Sequence, residues 1–228
     1  YKKTNTLINI NMLNIESKLN DNDIDYLVKL IQTGTKLHTL KIQLSCVSHD
    51  MISTLFGSFT TDNEINKLEL SDSFNNHITL DIVHQMIKLA QSNPSLNEIY
   101  LHNNCIDPEA IVAMANMLKT NTSIKTLFLH HNDIDEIGTV VIFNSLLTNT
   151  TLQHLCIASN RIDSNGTNEL VDVLRNNKTL QKLFLGNNNI DSDNIVRIIT
   201  ALQSNTCLQT LSLDSNNITP QAILEIAT

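Results

Sequence analysis

Eight times along this chain an apolar residue opens the pattern L-x-x-L-x-L, at Leu7, Leu37, Ile65, Leu96, Ile124, Leu152, Leu180 and Leu208. From Leu96 onward the openers stand a constant 28 residues apart, and in the last five copies an Asn follows three positions after the third apolar residue. A period of this length marks stacked units, each too small to bury its own apolar face, so that burial comes from the neighbours. The 228 residues hold about eight such units, which predicts one continuous array over residues 1–228 rather than two domains.

Residues 96–123 show how one unit reads. Leu96, Ile99 and Leu101 point one way, and the alternation around Ile99, Tyr100 and Leu101 is that of a strand. Asn104 and Ile106 close a turn. Asp107, Pro108 and Glu109 then supply an N-cap carboxylate, a proline at the first helical position and an acid near the positive end of the helix dipole. Ile111, Met114, Ala115 and Leu118 recur at helical spacing as a buried face, and Asn121 reads as a left-handed helix terminator. Other units repeat these columns. Ser48, Thr79, Asp107, Asp135, Asp163, Asp191 and Thr219 stand at the N-cap place, and Asn93, Asn121, Asn149, Asn177 and Asn205 at the terminator place. Unit 3 is longer, 31 residues from Ile65 to Leu96, with the excess falling in an enlarged turn at residues 73–77. Parallel strands stack ~4.8 Å apart while helices need ~8–10 Å. The array must therefore bend, with the sheet inside and the helices outside.

Composition narrows the partners. The net charge is −8, spread evenly along the chain with no basic block, which argues against nucleic acid or an anionic membrane surface. No apolar run approaches the ~20 residues of a membrane span. Cys46, Cys105, Cys156 and Cys207 are 51 or more residues apart and form no C-x-x-C. Unbridged thiols point to a reducing compartment, so the expected location is the cytoplasm. The chain opens without a recognisable cap and reaches Thr228 inside the helix expected for unit 8, so the array is expected to belong to a longer protein.

The repeats LNEIYLHNNCI, IKTLFLHHNDI, LQHLCIASNRI, LQKLFLGNNNI and LQTLSLDSNNI resemble leucine-rich repeats of the ribonuclease-inhibitor type. That resemblance covers nearly the whole chain and implies an α/β horseshoe solenoid with a concave parallel sheet and convex helices. With N-x-T-L between units, the style is most similar to the C-terminal repeat arrays of NOD-like receptors. Similar repeats occur in ribonuclease inhibitor, the Ran GTPase-activating protein and tropomodulin-like cytoskeletal proteins. The resemblance thus implies a binding surface more firmly than one activity.

The columns separate structure from recognition. Asn104, Asn132, Asn160, Asn188 and Asn216 read as buried groups that satisfy the backbone of the turns. The Asp column offers one carboxylate per unit, far short of the 6–8 oxygens calcium takes. Asn121, Asn149, Asn165, Asn177 and Asn217 begin N-x-S/T sequons, three of them in the terminator column. The third, fifth and seventh positions of L-x-x-L-x-L-x alternate away from the core and face the concavity. The fifth reads Asn11, Lys41, Glu69, Tyr100, Phe128, Cys156, Phe184, Ser212, and the seventh reads Leu13, Gln43, Ser71, His102, His130, Ala158, Gly186, Asp214. Tyr100, His102, Phe128, His130, His154, Cys156, Lys182 and Phe184 are therefore the expected partner-binding residues: an apolar centre with a polar rim. His102 and His130 on neighbouring strands should lie ~5 Å apart, close enough to repel when protonated, but a flat sheet does not converge four zinc ligands.

No Gly-rich phosphate loop, nucleophile elbow or H-E-x-x-H is present, and no catalytic residue, cofactor or metal is expected. The leading expectation is a module that recognises a protein or peptide ligand, as the sensing or regulatory region of a NOD-like receptor. The alternatives are a Ran-type GTPase activator, for which unit 1 offers no catalytic loop, and a cytoskeletal or ciliary scaffold.

Overall fold

The computed structural model describes residues 9–60, 63–71 and 77–219. Leu7, residues 73–76 of the expected enlarged turn, and the expected last helix after Thr219 lie outside the described residues.

Strand and helix alternate as the repeat demands. The order is β1 (Asn9–Ile15), α1 (Asp21–Gln32), β2 (Lys36–Gln43), a short 3-10 turn, α2 (His49–Gly57), β3 (Lys67–Ser71), β4 (His77–Ile78) and α3 (Leu80–Ser92). It continues with β5 (Glu98–Tyr100), β6 (Cys105–Ile106), α4 (Pro108–Thr120), β7 (Thr126–Phe128), α5 (Glu136–Leu146) and β8 (His154–Cys156). It closes with α6 (Ser164–Asn176), β9 (Lys182–Phe184), α7 (Ser192–Leu202) and β10 (Thr210–Ser212). Among the described residues, eight strands form one parallel sheet in the order β1-β2-β3-β5-β7-β8-β9-β10, and each helix packs on the helix of the next unit. The chain is a leucine-rich-repeat solenoid with the sheet on the concave side.

Register follows the repeat without slippage. Leu40, Leu68, Ile99, Leu127, Leu155, Leu183 and Leu211 lie side by side. All but Leu211 are fully buried, as are Ile65, Leu96 and Ile124 among the openers. Unit 1 departs from the expected frame. Ile10 pairs with Leu37, Leu13 with Leu40 and Ile15 with Ile42, so the unit opens at Ile10 rather than Leu7. Met12, expected inside, is 55% exposed, while Ile15 is 4% exposed. The concave residues of this unit are then Asn14, beside Lys41, and Glu16, in place of Asn11 and Leu13.

Most of the helix starts obey the capping chemistry, although Thr79 holds the N-cap place of α3 without a side-chain bond to its first turn. Asp135, Asp163 and Asp191 accept hydrogen bonds from backbone N–H groups of their first turns, as does Ser48, and Asn20 with Asp23 forms a capping box. Asp107 holds the N-cap place ahead of Pro108. The helix ends do not follow the expectation of left-handed asparagines. Asn121 and Asn177 have φ of −73° and −71°. Their side chains act instead. Asn177 Nδ2 donates to Leu146 O (2.8 Å) and Asn149 O (3.1 Å), while its Oδ1 accepts from the N–H groups of Thr179 (2.9 Å) and Leu180 (2.8 Å). Asn149 and Asn205 repeat the arrangement. Each amide thus satisfies carbonyls that a helix end leaves orphaned and pins the entry of the next strand. The buried amides of Asn149 and Asn177 are occupied by these bonds, whereas the sequon residues Asn165 and Asn217 are exposed.

A second ladder closes the other end of the strands. Asn160 Nδ2 donates to the carbonyls of Leu129, Ile157 and Ala158 at 3.0–3.1 Å, and its Oδ1 accepts from Asn132 N (3.2 Å) and Ile134 N (2.9 Å). Asn188 and Asn216 do the same one and two units on. The residue before each ladder Asn takes the left-handed conformation: Asn103, His131, Ser159, Asn187 and Ser215 have φ of 53–57°. At the long unit 3 the ladder is interrupted. Cys105–Ile106 pairs with His77–Ile78, and the buried Oδ1 atoms of Asn104 and Asn132 have no partner among the described residues. A cavity of about 320 Å³ opens between units 4 and 5, beside Ile106, Ile111, Asn132 and Ile134.

Asn160→Ala would strand the N–H groups of Asn132 and Ile134 in the interior and take one of the donors from each of three carbonyls, at a cost on the order of 1–3 kcal/mol. Asn132→Ala, whose Oδ1 is already unpartnered, is expected to cost less. Urea unfolding of the two variants should rank them in that order.

Candidate functional site

On the concave face the fifth-position residues of β5, β7, β8 and β9 form one continuous surface. Tyr100 and Phe128 lie in register on adjacent strands, with ring centroids 4.8 Å apart. Phe128 and Phe184 are two strands apart, yet their rings meet edge-on at 6.4 Å. Side chains on the inside of a bend converge, so the two rings close over the intervening Cys156 and leave it 9% exposed. Beside this strip, His102 and His130 stack face to face at 4.7 Å with 4° between their planes. Two parallel rings present faces to each other rather than nitrogens to a common point, which is not how a metal is held. The expected ~5 Å spacing of the pair is realised as a stack.

The rim is charged and partly paired. Lys41 and Lys67 both reach Glu69, at 3.2 and 3.1 Å. Burial works to raise the Glu69 carboxyl, but the two lysines outweigh it and hold it below the usual range. Lys67 also lies 3.9 Å from the centre of the Tyr100 ring, a cation–π contact. Tyr100 Oη donates to Glu98 Oε2 (3.0 Å), and burial together with that carboxylate pushes the phenol up to about 12. Further along the row of Lys67 and Glu98, His154 and Lys182 are neighbours in register, and burial followed by the Lys182 charge lowers the His154 pKa.

The residues read from the sequence thus fall into two sets. Tyr100, Phe128, Cys156 and Phe184 form the strip with His102 and His130 along one edge, while His154 and Lys182 stand on the other edge. His131 is carried off the sheet by its left-handed backbone and meets His130 edge-on at 5.7 Å. Burial pushes the Cys156 thiol up, which keeps it protonated, the reverse of what a nucleophile beside His154 would need. Glu16 was missed because the pattern also reads on Leu7. The run Ile10, Leu13, Ile15 fits L-x-x-L-x-L equally well and carried the signal.

Comparison with known proteins adds the fold alone. No family model and no curated protein sequence matches the chain. Among solved structures, the chain is similar to an internalin from Listeria monocytogenes, with 22% identity and a TM-score of 0.56 over 96% of this chain and 59% of the internalin. It is similar to leiomodin-1 actin-binding site 2, with 23% identity and a TM-score of 0.55 over 68% of this chain and 88% of that one. It is also similar to the tropomodulin C-terminal domain of Caenorhabditis elegans, with 16% identity and a TM-score of 0.53 over 66% and 90% of the two chains.

Burial and the adjacent His102 pull the His130 pKa down to about 4. An unfolded imidazole titrates near ~6.5, so folding favours the neutral ring. The stability this contributes is full above ~6.5 and is lost as the pH falls through the folded value. His130→Gln should therefore lose less melting temperature than wild type between about pH 7 and pH 4.5. Circular dichroism melts across that range check it, and an unchanged slope would place the acid sensitivity elsewhere.

Proposed function

We propose that the chain is a protein-recognition module that takes a protein or peptide partner on its concave face. The observation that carries this reading is the strip of Tyr100, Phe128 and Phe184, in which Phe128 touches both other rings and all three remain half-exposed at the centre of a face bordered by Lys41, Lys67, Glu69, Glu98 and Lys182. Cross-strand aromatic pairs stabilise a sheet by only ~0.2–1 kcal/mol each. The core beneath is already closed by the leucine columns. An apolar centre within a polar rim, built of residue types favoured as hot spots, matches the anatomy of a protein interface. The net charge of −8 on the chain favours protein over nucleic acid as the partner.

Two physiological settings fit such a module. The resemblance of the repeats to NOD-like receptor arrays supports a cytoplasmic sensing or regulatory region. The likeness in fold to leiomodin-1 actin-binding site 2 and to tropomodulin supports a cytoskeletal scaffold. Co-sedimentation with filamentous actin separates them, since pelleting with actin is expected of the scaffold and not of the sensor. A Ran-type GTPase whose hydrolysis is unchanged by the chain would remove the third alternative.

Replacing hot-spot rings typically costs ~2 kcal/mol or more each in binding. Tyr100→Ala/Phe128→Ala should therefore keep a cooperative melt while weakening partner capture by at least ~10-fold. Quantitative pull-down with mass spectrometry, wild type against the double variant, reads this directly. Equal recovery of every partner by the two proteins would show that the aromatic strip is not the contact.

A further inference from the structure

The two flanks of the aromatic strip carry opposite charges that the fold itself leaves unpaired. At the third position, Lys182 stands on β9 beside His154 and makes no ion pair among the described residues. On the same concave face Lys41 and Lys67 both reach Glu69, so Lys182 differs from them in having its charge uncompensated. At the seventh position the side chains shrink to Ala158 and Gly186, and the next residue of the row is Asp214.

Gly186 decides where the Asp214 carboxylate goes. A Cβ added there would lie 2.5 Å from Asp214 Oδ1 and 2.7 Å from Oδ2, so the carboxylate occupies the space that the missing side chain vacates. Asp214 therefore leans back from the last strand over Gly186, towards the strip, and Ser212 Oγ donates to its Oδ1. Its charge is felt at Cys156, in the centre of the strip. No basic side chain among the described residues pairs with it.

Lys182 and the carboxylate over Gly186 are four residues apart along the strand direction, ~13 Å. That is too far for a mutual ion pair, and it exceeds the ~8 Å screening length at physiological salt. The charges thus stand as independent attachment points on either side of Phe184.

Resting on the concave-face reading above, we propose that the partner is a bipolar protein segment laid along the strands. Its acidic group sits over Lys182 and His154, an aromatic or aliphatic residue over Phe128, Cys156 and Phe184, and a lysine or arginine at Asp214. The reversed orientation brings like charges together, so the polarity of the segment is fixed. The two charged residues of the partner fall four positions apart if it is extended, or about nine apart if it is helical, at 1.5 Å rise per residue.

The test is a selection of phage-displayed random peptides on the 228-residue chain and, in parallel, on the folded charge-swapped variant Lys182→Glu/Asp214→Lys. Peptides from the wild type should carry an acid and a base at one of those two spacings around an apolar residue. They should lose at least ~10-fold in affinity against Lys182→Glu or Asp214→Lys alone. Exchanging the acid and base within the peptide should restore affinity for the double variant. Peptides that require Phe128 yet are indifferent to charge reversal would overturn the bipolar partner and leave the concave face standing. Peptides indifferent to Phe128→Ala as well, or no peptide selected on the concave side, would overturn both.

Discussion

Parallel stacking leaves a large number of backbone groups without partners at both ends of every strand and at every helix terminus, and buried asparagine amides supply them. An amide carries two N–H donors and an acceptor with two lone pairs, so with one N–H shared between two carbonyls a single side chain can bridge three carbonyls and two N–H groups, as Asn160 does. Serine would lack the donors, and aspartate would place charge where neutral carbonyls converge. Two such ladders, one through Asn160, Asn188 and Asn216 and one through Asn149, Asn177 and Asn205, tie each unit to the next at opposite ends of its strand. Leucine columns fill the space between them, and the helices cover the outside.

This division of labour frees the concave positions. None of Tyr100, Phe128, Phe184, Lys182 or Asp214 is needed to fill the core, whose leucine and isoleucine columns are sealed without them. Curvature then acts on those free side chains. Rings two strands apart touch on the inside of the bend, bury a cysteine between them and hold two imidazoles in a stack. The same crowding shifts the protonation of His130, Tyr100 and Cys156 in the direction that disfavours charge. The centre of the face is consequently neutral and apolar while charge collects at its edges.

Much of this was readable in advance because side-chain period and hydrogen-bonding chemistry are local properties. Leu96, Ile99 and Leu101 announce a strand, Asp163 announces a helix start, and the constant spacing announces the register, so Tyr100 and Phe128 could be placed side by side. The readings that failed are those where local chemistry permits two outcomes. Asn121 and Asn177 are residues that tolerate a left-handed turn, yet both use their amides to hold the entry of the next strand, Asn177 also bridging to the preceding unit, and the left-handed position moved to His131 and its equivalents. In unit 1 both Leu7 and Ile10 fit the motif, and the pairing with β2 selected Ile10.

By itself, the sequence determined the solenoid, the length of its unit and, from unit 2 onward, the inward and outward faces and the identity of the residues on the hollow side. The tertiary structure alone decided how those residues meet: Phe128 with Phe184 across Cys156, His102 stacked on His130, Asp214 folded back over Gly186. The periodicity of a strand is written in each short segment. The convergence of side chains depends on the curvature of the whole array and on which neighbour is small enough to make room.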